Sequence, residues 1–139
     1  MKIAVYGPLY NERSKSTIQT LIDYLKIRKA NVVFEKTFHA SILSDSDINL
    51  NAYKVNTFEV LDASFELLIS IGGDGTILRA ITFVKDLMIP IVGINTGRLG
   101  FLATIPMNTI HEAMDEIFEG NYRVSKRSLL KISVDNTDV

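Results

Sequence analysis

The sequence predicts an α/β fold, a mainly parallel sheet with helices on both faces. Three observations predict it. Short, almost continuous apolar runs at 3–6, 65–71 and 90–94 read as strands buried on both sides, which parallel sheets require. Between the runs lie segments whose apolar residues recur at helical spacing. The runs end in glycine-containing loops, the kind found at the carboxyl edge of an open sheet, where ligands bind.

Taken in order, residues 3–6 form a first strand ending at Gly7-Pro8. The loop over 9–15 carries Arg13 and Lys15, which are read either as ligand contacts or as ordinary solvated charges. Ser16 and Gln19 make a capping box, and Ile18, Leu21, Ile22 and Leu25 line one face of a helix reaching 29. Residues 31–37 alternate around Val32 and Phe34, with Phe38 as a possible continuation, so a second strand follows by a right-handed crossover. Residues 39–64 are least informative. They offer a turn at 44–47, a short helix at 48–53 and an extended stretch at 55–60, with His39 structural or exposed.

The strand at 65–71 runs into Gly72-Gly73-Asp74-Gly75-Thr76, and a helix reaching 85 leaves it with Ile77, Leu78, Ile81 and Val84 at the spacing of one buried face. The strand at 90–94 ends in a second loop, Asn95 to Leu102, with Gly97 and Gly100 three apart and Phe101 just after. Thr109 and Glu112 suggest another capping box before Ile110, Ala113, Met114, Ile117 and Phe118, and Gly120 stops that helix. From Tyr122 and Val124 to Leu130, Ile132 and Val134 the pattern alternates as strands do. A strand pair without a sheet is marginal. Residues 1–120 are therefore read as one α/β domain, and 121–139 as the first strands of a second domain that this sequence largely lacks.

Composition narrows the classes. The chain has 139 residues, 47% hydrophobic and 22% charged, which suits one ordered domain. A net charge of −1 argues against broad binding to nucleic acid or anionic membrane. The absence of cysteine removes disulfides and thiolate metal sites and is compatible with a reducing cytosol, so a cytoplasmic location is expected. Two histidines exclude a His-rich metal site. The apolar run at the start is too short for a signal peptide, and no run approaches the length of a membrane span.

The 72–76 stretch carries the chemistry. Glycines let a backbone approach a ligand closely, and the unpaired N–H groups of the following helix, with its dipole, make a seat for phosphate. A carboxylate there needs a reason. Asp74 is read as facing a metal, as polarising an attacking hydroxyl, or simply as a helix cap. A dinucleotide fingerprint from Gly73 fails at Leu78, and no Gly-Lys-Ser/Thr triplet follows a strand. Arg79 is open between a solvated cation and a ligand contact, and Phe101 between core and pocket wall.

Together the two loops resemble those of the NAD kinases: Gly-Gly-Asp-Gly-Thr at 72–76, then Gly93-Ile94-Asn95-Thr96-Gly97-Arg98-Leu99-Gly100-Phe101-Leu102. The closing run Gly120-Asn121-Tyr122-Arg123-Val124, with Arg127 and Leu129, resembles that family's passage into its second domain. The resemblance implies a Rossmann-like domain that helps transfer the terminal phosphate of ATP, or polyphosphate, to the 2′-hydroxyl of the adenosine ribose of NAD. It implies that Asp74 contacts ribose hydroxyls and serves as the base. It assigns Gly72, Gly73, Gly75, Thr76, Asn95 and Gly97 to the nucleotide site, Phe101 to the dinucleotide pocket, and Arg79 to a contact with NAD. A divalent metal, usually magnesium, accompanies the phosphates, with no ligands assigned here. Lipid kinases of the diacylglycerol type and 6-phosphofructokinases share the first motif. A lipid or sugar kinase, or a non-catalytic nucleotide-binding domain, is therefore the alternative, and the second loop favours NAD. The family's Asn-Asp/Glu pair in the second domain is missing, so little activity is expected of this chain alone. Dimers or tetramers are common in the family.

Overall fold

A computed structural model of the chain describes residues 1–8, 10–44, 55–130 and 133. Among them the order is β1 (Lys2–Tyr6), α1 (Glu12–Ile27), β2 (Asn31–Glu35), α2 (Lys36–Leu43), β3 (Asn56–Phe58), β4 (Leu67–Gly72), α3 (Asp74–Val84), β5 (Ile91–Asn95), β6 (Ile105–Pro106), a 3-10 turn (Met107–Thr109) and α4 (Ile110–Phe118). The strands form one six-stranded sheet in the order β3-β2-β1-β4-β5-β6, parallel throughout. Strand order reverses between β1 and β4, and the crevice beyond their carboxyl ends is where such sheets take ligands.

Both faces are covered, as the unbroken apolar strands require. Ile3, Val5, Leu67, Ile69 and Ile71 share a core with α1, α2 and α4. Their alternate neighbours Ala4, Tyr6 and Leu68 share a second core with α3, through Ala80 and Val84. The period of two along each strand assigns side chains to the two layers. Arg28 and the Tyr24 hydroxyl both donate to Asp115 Oδ1 at 2.6 Å, tying α1 to α4.

Several boundaries differ from the sequence expectation. Helix α1 begins at Glu12. Asn11 is its cap, and Asn11 and Ser14 exchange side-chain bonds with each other's backbone N–H groups at 3.0 and 3.1 Å. The Ser16/Gln19 box therefore lies inside the helix, and Arg13 and Lys15 belong to its first two turns rather than to a loop. Strand β2 stops at Glu35, whose buried carboxylate accepts the N–H groups of Thr37 and Phe38 and starts α2. Phe38 is thus helical, and it packs against Phe34 with ring centroids 6.0 Å apart. His39 is half-buried in α2, where burial lowers its pKa. The Thr109/Glu112 box does not form: the preceding 3-10 turn leaves Thr109 at φ −118°, ψ 20°, and its hydroxyl donates to the Pro106 carbonyl. Gly120 does stop α4, at φ 77°. Residues 121–130 have no helix or strand and are exposed. Of the turn expected over 44–47, Ser44 caps the end of α2; positions 45–47, the helix at 48–53 and the strand positions Ile132 and Val134 lie outside the described residues.

Candidate functional site

The site grows from the end of β4. Gly72 takes φ 155°, and a Cβ there would overlap the Thr76 hydroxyl, so only glycine lets the strand turn straight onto α3. The Gly73 carbonyl accepts the N–H groups of Thr76 and Ile77 at 3.1 and 3.3 Å, and the Gly73 N–H donates to Thr76 Oγ1 at 3.4 Å. Thr76 is accordingly buried and acts as part of the cap. The N–H groups of Asp74 and Gly75 have no acceptor among the described residues. A Cβ at Gly73 or Gly75 would meet nothing within 4 Å. Internal packing therefore does not demand glycine at these two positions. They face open space at the positive end of a helix dipole.

The second loop leaves β5 in register beside the first, with Gly72 opposite Asn95. The Thr96 N–H donates to the Gly72 carbonyl at 3.1 Å. Asn95 is buried, and both ends of its amide serve the loop: Oδ1 accepts the Gly97 N–H at 2.8 Å, and Nδ2 donates to the Ala103 carbonyl at 3.3 Å. Gly93 lies so close to the returning chain that a Cβ there would stand 2.7 Å from Ala103 Cα.

Asp74 joins the two loops. Its Oδ2 accepts the Phe101 N–H at 2.9 Å, and its Oδ1 accepts those of Leu102 and Ala103 at 3.0 Å each. The Ala103 N–H, then those of Leu102 and Phe101, hold the carboxyl below its ordinary pKa. A carboxylate offers about four lone-pair positions, so roughly one, on Oδ2, stays open. The group is a firm anionic acceptor and a weakened base.

The structure brings Gly72, Gly73, Asp74, Gly75, Thr76, Asn95, Gly97 and Phe101 to one edge of the sheet. The Phe101 side chain points into solvent at 89% exposure, while its N–H is bound to Asp74. Leu99 is also exposed, and so is Leu78, which the helical spacing had placed on the buried face of α3 with Ile77 and Val84. Arg79 is exposed on α3, and its guanidinium makes no hydrogen bond or ion pair among the described residues. Among those residues no three acidic, His or Cys side chains cluster as a metal cage. Magnesium keeps most of its waters and leans on substrate phosphates, so an ion arriving with a nucleotide would need no cage from these residues. No described helix is long and apolar enough to cross a membrane.

Sequence reasoning singled out Asp74 but missed its partners, because backbone N–H groups carry no side-chain signature. It also named Gly100 in the second loop without giving it a role. A Cβ there would stand 2.5 Å from Asp74 Cγ, so the loop closes on the carboxylate only with glycine. The paired glycines of the second loop were the available signal.

Residues 9–122 match the family model described as the ATP-NAD kinase N-terminal domain. The chain is 42% identical over 135 residues to an NAD kinase of Christiangramia forsetii, a match covering 97% of this chain and 46% of that protein. It is 43% identical over 132 residues to an NAD kinase of Flavobacterium psychrophilum, covering 95% and 45%. The chain thus spans about half the length of the curated relatives it matches. The crystal structure of yeast NADH kinase complexed with NADH superposes with a TM-score of 0.67 at 18% identity, over 85% of this chain and 36% of that one, and supports the fold.

Proposed function

The chain belongs to the ATP-NAD kinase N-terminal domain family, and we propose that it is the nucleotide-binding half of an NAD kinase. The reaction is transfer of the terminal phosphate of ATP, or of polyphosphate, to the 2′-hydroxyl of the adenosine ribose of NAD. One observation carries the reading beyond membership. Asp74 fastens the two motif loops together at the carboxyl edge, beside open space at Gly73 and Gly75.

In this reading the free N–H groups at the start of α3 bind phosphate oxygens. The remaining Oδ2 lone pair of Asp74 accepts the ribose hydroxyl and aims it, and the same oxygen takes the proton as the new bond to phosphorus forms and the bond to the leaving ADP or shortened polyphosphate breaks. Phosphoryl transfer through a loose transition state needs positioning more than a strong base, which suits a carboxylate whose pKa is held down. Phe101 offers a ring face to the dinucleotide, Arg79 a cation, and Gly97 room for the backbone to approach. Asn95 supports the loop from beneath. Bound magnesium would screen the phosphate charge. Residues 121–139 would open a β-rich second domain that completes the dinucleotide pocket. A dimer or tetramer in the cytoplasm belongs to the same proposal.

The test is production of NADP from NAD and ATP with magnesium, followed by a coupled dehydrogenase assay. The complete enzyme containing this chain turns over, and residues 1–139 alone give little or none. Nucleotide binding without NADP formation by the complete protein would support a non-catalytic domain. Phosphorylation of a lipid or sugar instead would support a related kinase.

A further inference from the structure

The loop over 96–103 is fastened at two points. At its base the Thr96 N–H donates to the Gly72 carbonyl and the Asn95 amide bridges Gly97 and Ala103. At its tip three successive backbone N–H groups converge on one carboxylate, with Gly100 pressed against it. Side-chain packing holds only the loop's far end, where Ala103 is buried against Gly93; Leu99 and Phe101 are exposed at 60% and 89%, so burial does little to fix residues 99–101. A loop without packed side chains keeps its backbone freedom unless hydrogen bonds remove it. Bonds from N–H groups to a carboxylate are stronger than neutral ones.

We propose that Asp74 is first a positioning residue, whose carboxylate sets the backbone of 101–103 and so presents the Phe101 ring at the site. The inference deepens the function proposed above, and the loop fastening itself stands whether or not the ligand is NAD. Its chemistry has a consequence for the obvious variant. Asp74→Asn replaces one acceptor oxygen with a donor NH2. In either amide orientation that NH2 faces at least one N–H of Phe101, Leu102 or Ala103, so the substitution releases part of the loop as well as removing charge. Loss of activity in Asp74→Asn would therefore not by itself identify a base.

The experiment is amide NMR on the 15N-labelled 139-residue chain, wild type, Asp74→Asn and Gly100→Ala. In the wild type the Phe101, Leu102 and Ala103 amides shift together in one acid titration, with a midpoint below the ordinary carboxylate value. In both variants these three signals lose that titration and exchange with solvent at least about tenfold faster, the scale of losing ordinary hydrogen bonds. Amides of β1, β4 and α1 stay in place and report that the fold survives. In the complete enzyme, Gly100→Ala, which keeps the carboxylate, raises KM for the dinucleotide more than it lowers kcat. Unchanged shifts and exchange at 101–103 in a folded Asp74→Asn chain overturn the inference. So does a Gly100→Ala chain that keeps the wild-type titration of those amides. An absence of NADP formation, with the NMR behaviour intact, would overturn the proposed activity and leave the fastening standing.

Discussion

Replacing Gly93 by alanine tests the packing that draws the second loop over α3. The new methyl carbon would lie 2.5 Å from Ile77 Cδ1, 2.7 Å from Ala103 Cα and 2.9 Å from Ala103 Cβ. Carbon atoms prefer about 3.5–4.0 Å. Ile77 can swing its terminal carbon away. Ala103 is backbone, bound through its N–H to Asp74 and through its carbonyl to Asn95. Relief therefore requires the chain at 103 to back away from β5, loosening both bonds. Overpacking of this kind costs about 1–3 kcal/mol. With an unfolding entropy of about 2.1 cal/mol/K per residue, that lowers Tm by about 3–10 °C. Differential scanning calorimetry of the two chains reads the shift. A Gly93→Ala chain melting within about 1 °C of wild type would refute the account of this contact.

Three other outcomes follow from the same geometry. Phe101→Ala removes a ring that is almost wholly in solvent, so stability changes by less than about 0.5 kcal/mol, while dinucleotide affinity of the complete enzyme falls, as titration calorimetry would show. Tyr24→Phe deletes the bond to Asp115 and costs about 0.5–1.5 kcal/mol in urea denaturation, leaving nucleotide kinetics unchanged. The carboxyls of Asp74, held by the Ala103 N–H and its neighbours, and of Asp115, held chiefly by the Tyr24 hydroxyl, both lie below the ordinary 3.8. The unfolded chain protonates them first, so their stabilisation is complete above 3.8 and is lost as pH falls through their lower folded values. Urea midpoints measured down the acid range should decline, and Asp115→Asn should flatten that decline.

The parallel sheet was legible because β1, β4 and β5 are apolar on both sides, and α1 and α4 because their apolar residues repeat at helical spacing. What escaped was decided by single polar bonds. Asn11 and Ser14 start α1 well ahead of the cap that Ser16 suggested. The Glu35 carboxylate turns the chain from β2 into α2, where alternation alone would have carried the strand through Phe38. Strand β6 is two residues long and has no period to read. At the site, the glycine turn and its aspartate were visible as a motif. The direction of the Asp74 carboxylate was not, because its partners are main-chain groups 27 to 29 residues further on.

The most direct measurement sets stability against activity at Gly75. The position is exposed at the start of α3, and a Cβ there would meet nothing within 4 Å. Glycine inside a helix is less stable than alanine by roughly 0.5–1 kcal/mol, so the fold alone has no use for it. If the open space is the phosphate seat, Gly75→Leu fills it. The variant should then melt at or above the wild-type temperature while kcat/KM for NADP formation by the complete enzyme falls at least about a hundredfold, the scale set by displacing reacting groups by an ångström. A folded Gly75→Leu enzyme with wild-type kcat/KM would show that the nucleotide lies elsewhere and would contradict the account.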